Sequence, residues 1–160
     1  MKLHVLMLLI VLAASGCAIQ SVTAPAGAVK AWSADSQHDR NLMVGKWLGE
    51  VRTEDDKLRI TLSERSENGT YRITFRTYEG SQYDESIEVG LWGISGPVYF
   101  TIMRGWMTGG EFRPADTTQA YYYDAYRIIS LDETSFEYES VETANRFSVR
   151  RVGNDFEFSD

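Results

Sequence analysis

From Val44 onward, apolar and polar residues alternate in short runs, and turn-forming residues interrupt them every 8–15 positions or so. Gly45, Trp47, Gly49 and Val51 share one parity, against Lys46, Glu50 and Arg52 on the other. The polar run Glu54-Asp55-Asp56 then predicts a turn. Leu58, Ile60 and Leu62 alternate with Arg59, Thr61 and Ser63, and Asn68-Gly69 predicts a tight hairpin of type I′. Further strands are expected around Tyr71, Ile73 and Phe75, around Ile87, Val89 and Leu91, and, after Ser95-Gly96-Pro97, around Val98, Phe100 and Ile102. Residues 108–118 form a long loop with Gly109-Gly110 and Pro114, and a tyrosine-rich strand occupies 120–131. Strands at Phe136 and Tyr138, at Phe147 and Val149, and a last short one at Phe156 and Phe158 complete the series. No helical period appears in this region. Eight or nine strands in local hairpin order predict an all-β antiparallel up-and-down meander. Such a meander buries its apolar face by folding into a sandwich or, as the local order favours, by closing into a small barrel.

The first 40 residues follow a different pattern. Residues 5–14 are an unbroken apolar run, too short to cross roughly 30 Å of hydrocarbon as a helix but suited to a signal peptide. Ala14-Ser15-Gly16-Cys17 follows, and it resembles the bacterial lipobox, with Ala14 standing where Leu is usual. The resemblance implies a signal peptide over 1–16 and a diacylglyceryl group on the Cys17 sulfur, with a further acyl chain on its freed amine. Ala18 stands where an Asp would signal inner-membrane retention, which points to the outer membrane facing the periplasm. Residues 17–40 then form a flexible tether rich in small residues, expected to be mobile up to about Asn41, with docking of Trp32 and Leu42 on the domain as the alternative, and 41–160 form the folded unit.

Composition narrows the chemistry. Aromatics make up 12% of the chain, nine of them Tyr, which suits pleated strands. The net charge is −7, and about −8 once Lys2 leaves with the signal. An acidic surface repels phosphates, so nucleic acid is not an expected partner, and the membrane must be held through the lipid. Cys17 is the only cysteine, so no internal disulfide forms. The histidines, His4 and His38, both precede the domain. Residues 41–160 therefore lack the groups for a His-based metal site or a Ser/His or Cys/His pair. No enzyme activity, metal or cofactor is expected. Glu137 and Glu139 share one strand parity opposite Phe136 and Tyr138 and are read as solvated.

Gly45-Lys46-Trp47 at the head of the strand series resembles the Gly-x-Trp of lipocalins. The resemblance implies that Trp47 plugs the closed end of a barrel and that an Arg late in the last strand packs over the indole. Arg150 or Arg151 stands there, with Arg150 the expected member. Tyr123-Asp124-Ala125-Tyr126 echoes the family's Asp-Tyr motif in altered order. The chain is shorter than a typical lipocalin and lacks the helix that follows the barrel.

The candidate ligand-binding residues are Arg104, Trp106, Tyr122, Asp124 and Tyr126, gathered around the long loop with Met107, Phe112, Tyr121, Tyr123 and Arg127. Arg104 continues the parity of Val98, Phe100 and Ile102. If it points inward it needs a partner, and Asp124 supplies one if Tyr122, Asp124 and Tyr126 face in. The opposite parity, with Tyr121, Tyr123, Arg127 and Ile129 inside, stays open. The leading expectation is a tethered barrel that binds or carries a small apolar or amphiphilic ligand. The alternative is a non-catalytic envelope lipoprotein with a filled core, binding another envelope protein through exposed Trp92 and Tyr99.

Replacing the lipidated residue tests the N-terminal reading. Cys17→Ser should abolish incorporation of labelled palmitate and move the protein from the membrane to the soluble fraction of a cell lysate.

Overall fold

All but the last of the turn-bounded runs in the alternating region become strands, and most pair with their neighbours in sequence. The computed structural model describes residues 28–53 and 55–158. The signal segment, Cys17, the tether as far as residue 27 and Glu54 lie outside the described residues, as does the Trp32 side chain. Nine strands follow one helix: α1 (Ala28–Met43), β1 (Gly45–Arg52), β2 (Leu58–Arg65), β3 (Thr70–Glu79), β4 (Gln82–Ser95), β5 (Val98–Thr108), β6 (Glu111–Pro114), β7 (Tyr123–Leu131), β8 (Ser135–Ser140) and β9 (Arg146–Val152). The order around the sheet is β4-β3-β2-β1-β9-β8-β7-β5-β6, and β4 also pairs with β5. That pairing closes eight strands into an up-and-down antiparallel barrel, with β6 as an extra strand on β5. Closure leaves the eight barrel strands no free edge.

Several local expectations are corrected. The hairpin at Asn68-Gly69 forms, but only Gly69 has positive φ, at 84°, so it is not a type I′ turn. Gly69 N–H donates to Ser66 O at 3.0 Å, and Asn68 Oδ1 accepts from Thr70 N and Oγ1 at 3.0 and 2.7 Å. This is a type I turn followed by a left-handed glycine, the usual three-residue solution. The long loop over 108–118 is instead mostly a second hairpin. Gly109 and Gly110, both at positive φ, join β5 to β6, and a short 3-10 turn at Ala120–Tyr122 leads into β7. The expected last strand at Phe156 and Phe158 does not form. That segment lies on the outer face of the barrel, where Lys46 Nζ donates to Phe156 O at 2.8 Å and the Arg76 guanidinium stands 4.6 Å from the Phe158 ring.

The larger correction is α1, which occupies much of the segment read as tether. Its small and polar residues carry no strong period, and tertiary contacts fix its last turn. Arg40 Nη2 donates to Glu67 O at 2.6 Å, and its guanidinium lies 5.0 Å from the Trp92 ring. Met43 is fully buried, and its carbonyl accepts from Trp47 Nε1 at 3.0 Å. The helix end thus seals one end of the barrel.

Trp47 is fully buried there, edge-on to Phe136 at 6.1 Å. The cation over its ring is Arg151, at 4.3 Å, and not Arg150, which is exposed. Strand alternation decides this: Val149 is buried inward, so Arg151 shares its face and Arg150 points out. Arg151 also donates to the carbonyls of Leu42, Val44 and Glu133, joining α1, β1 and the β7–β8 turn. Gly45, at φ 113°, lies so close that a Cβ would come within 2.9 Å of Arg151 Nη1. The glycine of the Gly-x-Trp motif is required by this approach.

The inward parity differs from the hydrophobic reading on three strands. Trp47, Tyr71, Ile73, Phe136 and Val149 point in as expected, but β2 turns Thr61, Ser63 and Arg65 inward, and β4 and β5 turn in Trp92, Tyr99 and Thr101. Trp92 and Tyr99 are 4% and 2% exposed, so they are core residues and not surface anchors for a partner. Leu91, on the opposite parity, is 40% exposed. Glu139 is largely covered, gripped by Arg127 and Arg146 at 3.4 and 2.9 Å.

Trp47→Ala should cost about 3–5 kcal/mol, read from a urea melt. Arg151→Met should lose about 1–3 kcal/mol by leaving three carbonyls without their donor, while Arg150→Met should stay within about 0.5 kcal/mol of the parent.

Candidate binding site

Above the plug the barrel is lined and not filled. A cavity of about 330 Å³ opens between the inward side chains of β1, β2, β3, β4, β5, β7, β8 and β9. This lies at the small end of ligand pockets, which run roughly 300–1,000 Å³. Seven aromatic side chains line it, interleaved with ten polar or charged ones. Tyr99 stacks on Tyr126 at 5.3 Å, and Tyr138 stacks on Phe147 at 5.1 Å. Burial pushes the hydroxyls of Tyr71, Tyr126 and Tyr138 well above their ordinary pKa, so each stays a neutral group able to donate.

Polar groups sit at two levels. Near the plug is Arg65, opposite Gly45 and Tyr71 in register and only 4% exposed. Its Nε and Nη2 donate to Tyr99 Oη at 3.3 and 3.1 Å, and its guanidinium lies 4.9 Å from the Tyr99 ring and 5.7 Å from the Phe136 ring. Glu88 and Asp124 stand two residues further along their strands than the residues level with Arg65, hence roughly 7 Å nearer the mouth. Burial raises the pKa of both carboxyls. Glu88 is raised further by Asp124. Asp124 is raised by Glu142 and pulled back by hydrogen bonds from Thr101 and Tyr126.

The five candidate ligand residues divide. Asp124 and Tyr126 line the cavity, which decides the open parity of β7. Arg104 does not join them. It falls at an irregularity where Val89 pairs with Gly105 and Gly90 with Met103, so it has no cross-strand mate and its side chain is exposed. The expected Arg104–Asp124 pair is not made among the described residues. Trp106 and Tyr122 pack edge-to-face on each other at 5.8 Å, away from the cavity lining. Arg65 and Glu88 were not anticipated, because the aliphatic residues beside them made their parity look solvated. A usable signal existed for Arg65. Counting register across the turn after Arg52 sets Trp47 opposite Ser63, and Arg65 then shares the plug's face.

No family model matches this chain, and no curated protein matches it. Among solved structures it is similar to the crystal structure of a lipocalin-like protein from Bacteroides uniformis, at 11% identity and a TM-score of 0.46, over 69% of this chain and 99% of that one. The strand order and closure themselves define the class: an eight-stranded antiparallel barrel of lipocalin-like architecture, plus one extra strand.

The raised Glu88 carboxyl makes a prediction about pH. The folded state holds this proton more tightly than the unfolded chain, so Glu88 costs stability as pH rises above its ordinary value of 4.5. Glu88→Gln should raise the melting temperature at pH 7 and leave it nearly unchanged near pH 4, as followed by circular dichroism.

Proposed function

We propose that this protein is a lipoprotein of the bacterial envelope, anchored through Cys17, whose barrel binds or carries a small amphiphilic organic molecule. One observation carries the reading. The interior is a cavity lined by seven aromatic side chains together with polar and charged groups, a form suited to a small molecule with apolar and polar parts. Tyrosine walls suit such a ligand, since each ring offers an apolar body and a polar tip. Residues 41–160 contain no His or Cys, which favours a binder over a catalyst. The anchor at Cys17, with Ala18 after it, would hold the barrel at the outer membrane, facing the periplasm. Two or three acyl chains suffice for stable attachment.

Native mass spectrometry of the mildly purified chain should show a bound organic species. Thr61 lines the cavity, so Thr61→Phe should fill part of it, displace that species and weaken binding of 1-anilinonaphthalene-8-sulfonate by roughly tenfold or more, with the circular dichroism spectrum unchanged. A chain that is always empty, together with equal dye binding by the variant, would overturn the reading.

A further inference from the structure

Three guanidiniums are drawn into the protein, and two of them are compensated. Arg76 is paired with Glu85 at 2.8 Å, and Arg151 is spent on three backbone carbonyls. Arg65 is different. It lines the cavity, is 4% exposed, and its Nη1 is buried with no hydrogen-bond partner among the described residues. Among the described residues it has one hydrogen-bond partner, the Tyr99 hydroxyl, and no ion pair. A buried cation with no counterion and an idle donor is costly unless something else meets it.

We infer that the ligand is a monocarboxylate, seated with its carboxylate against Arg65 and Tyr99 at the plugged end of the cavity and its apolar body along the aromatic wall. The inference rests on the small-ligand reading above and names the chemistry of that ligand. Two donors on residues that line the cavity are unspent among the described residues: Arg65 Nη1, which has no partner, and the Tyr99 hydroxyl proton, since the oxygen already accepts from Arg65. A planar carboxylate has two oxygens to receive them, and charge-assisted bonds of this kind are the strong ones. The body of the ligand must then pass Glu88 and Asp124. A second anionic group at that level would meet two carboxylates, and of the two further arginines lining the cavity Arg146 is paired with Glu139 and Arg59 is exposed, so a neutral body is favoured there. The cavity of about 330 Å³ limits that body to a short chain or a small ring system.

The test uses two probes that differ only in the head group, decanoate and decan-1-ol, titrated calorimetrically at neutral pH into the full chain freed of co-purified ligand. Decanoate should bind roughly tenfold or more tightly than the alcohol. Arg65→Met should reduce that preference to within about twofold, and Arg65→Lys, which keeps the charge but not the fork, should retain part of it. Equal or tighter binding of decan-1-ol by the parent chain would overturn the inference while leaving the ligand-binding reading intact, as would an undiminished preference in a folded Arg65→Met. If that variant does not fold, the parent chain's ratio and Arg65→Lys decide. Binding of neither probe would remove both the inference and the reading under it.

Discussion

The contact between Arg151 and Trp47 is the one on which the barrel's geometry turns. One guanidinium covers the indole face and donates to carbonyls of Leu42, Val44 and Glu133. In doing so it ties the end of α1, the start of β1 and the β7–β8 turn to the last strand. Gly45 is bare because the guanidinium passes where a side chain would begin. The Trp47 N–H in turn reaches back to Met43 and fixes the helix end beneath the ring. A cation over an aromatic face contributes about 0.5–2 kcal/mol when partly desolvated. Its structural effect is wider than that figure, because it fixes which parity of β1 and β9 is inside.

Once that parity is set, hydrogen-bond register carries it around the barrel. Trp47 opposite Ser63 turns Arg65 inward; Arg65 opposite Tyr71 keeps β3 in phase; Tyr71 opposite Gly90 does the same for β4. The interior therefore receives residues that hydrophobicity alone would not choose, among them a buried arginine and two carboxyls. Apolar residues such as Leu91 are correspondingly turned outward. The aromatic cluster around the plug, from Met43 to Val149, provides the core burial. The cavity above it is free to be polar because stability does not depend on filling it.

That division of labour fits the binding role proposed above. The sealed end holds the fold together through Trp47, Phe136 and Met43. The other end can be shaped by a ligand without endangering closure. Arg65 lies at the junction of the two. It packs on Tyr99 and Phe136 as part of the core, and it also lines the cavity.

Period-two alternation with regular turns was enough to read the all-β meander and its hairpin order, because strand geometry writes itself into sequence at every second residue. Gly45 and Trp47 likewise marked the plug. Alternation names two faces without saying which is inside, however, and on β2, β4 and β5 both faces carry apolar residues. Only register around the closed barrel selected Tyr99 over Phe100 and Arg65 over Leu62 to line the cavity, and Arg151 over Arg150 to cover the indole. The helix over Ala28–Met43 was invisible for a related reason: the contacts that fix it lie on distant strands and turns and leave no local period. Apart from β6 and the expected strand at Phe156 and Phe158, the segments that become strands and their hairpin order were set along the chain, since those depend on neighbours in sequence. The tertiary structure alone decided which side chains face the cavity, because that depends on partners brought together only when the sheet closes.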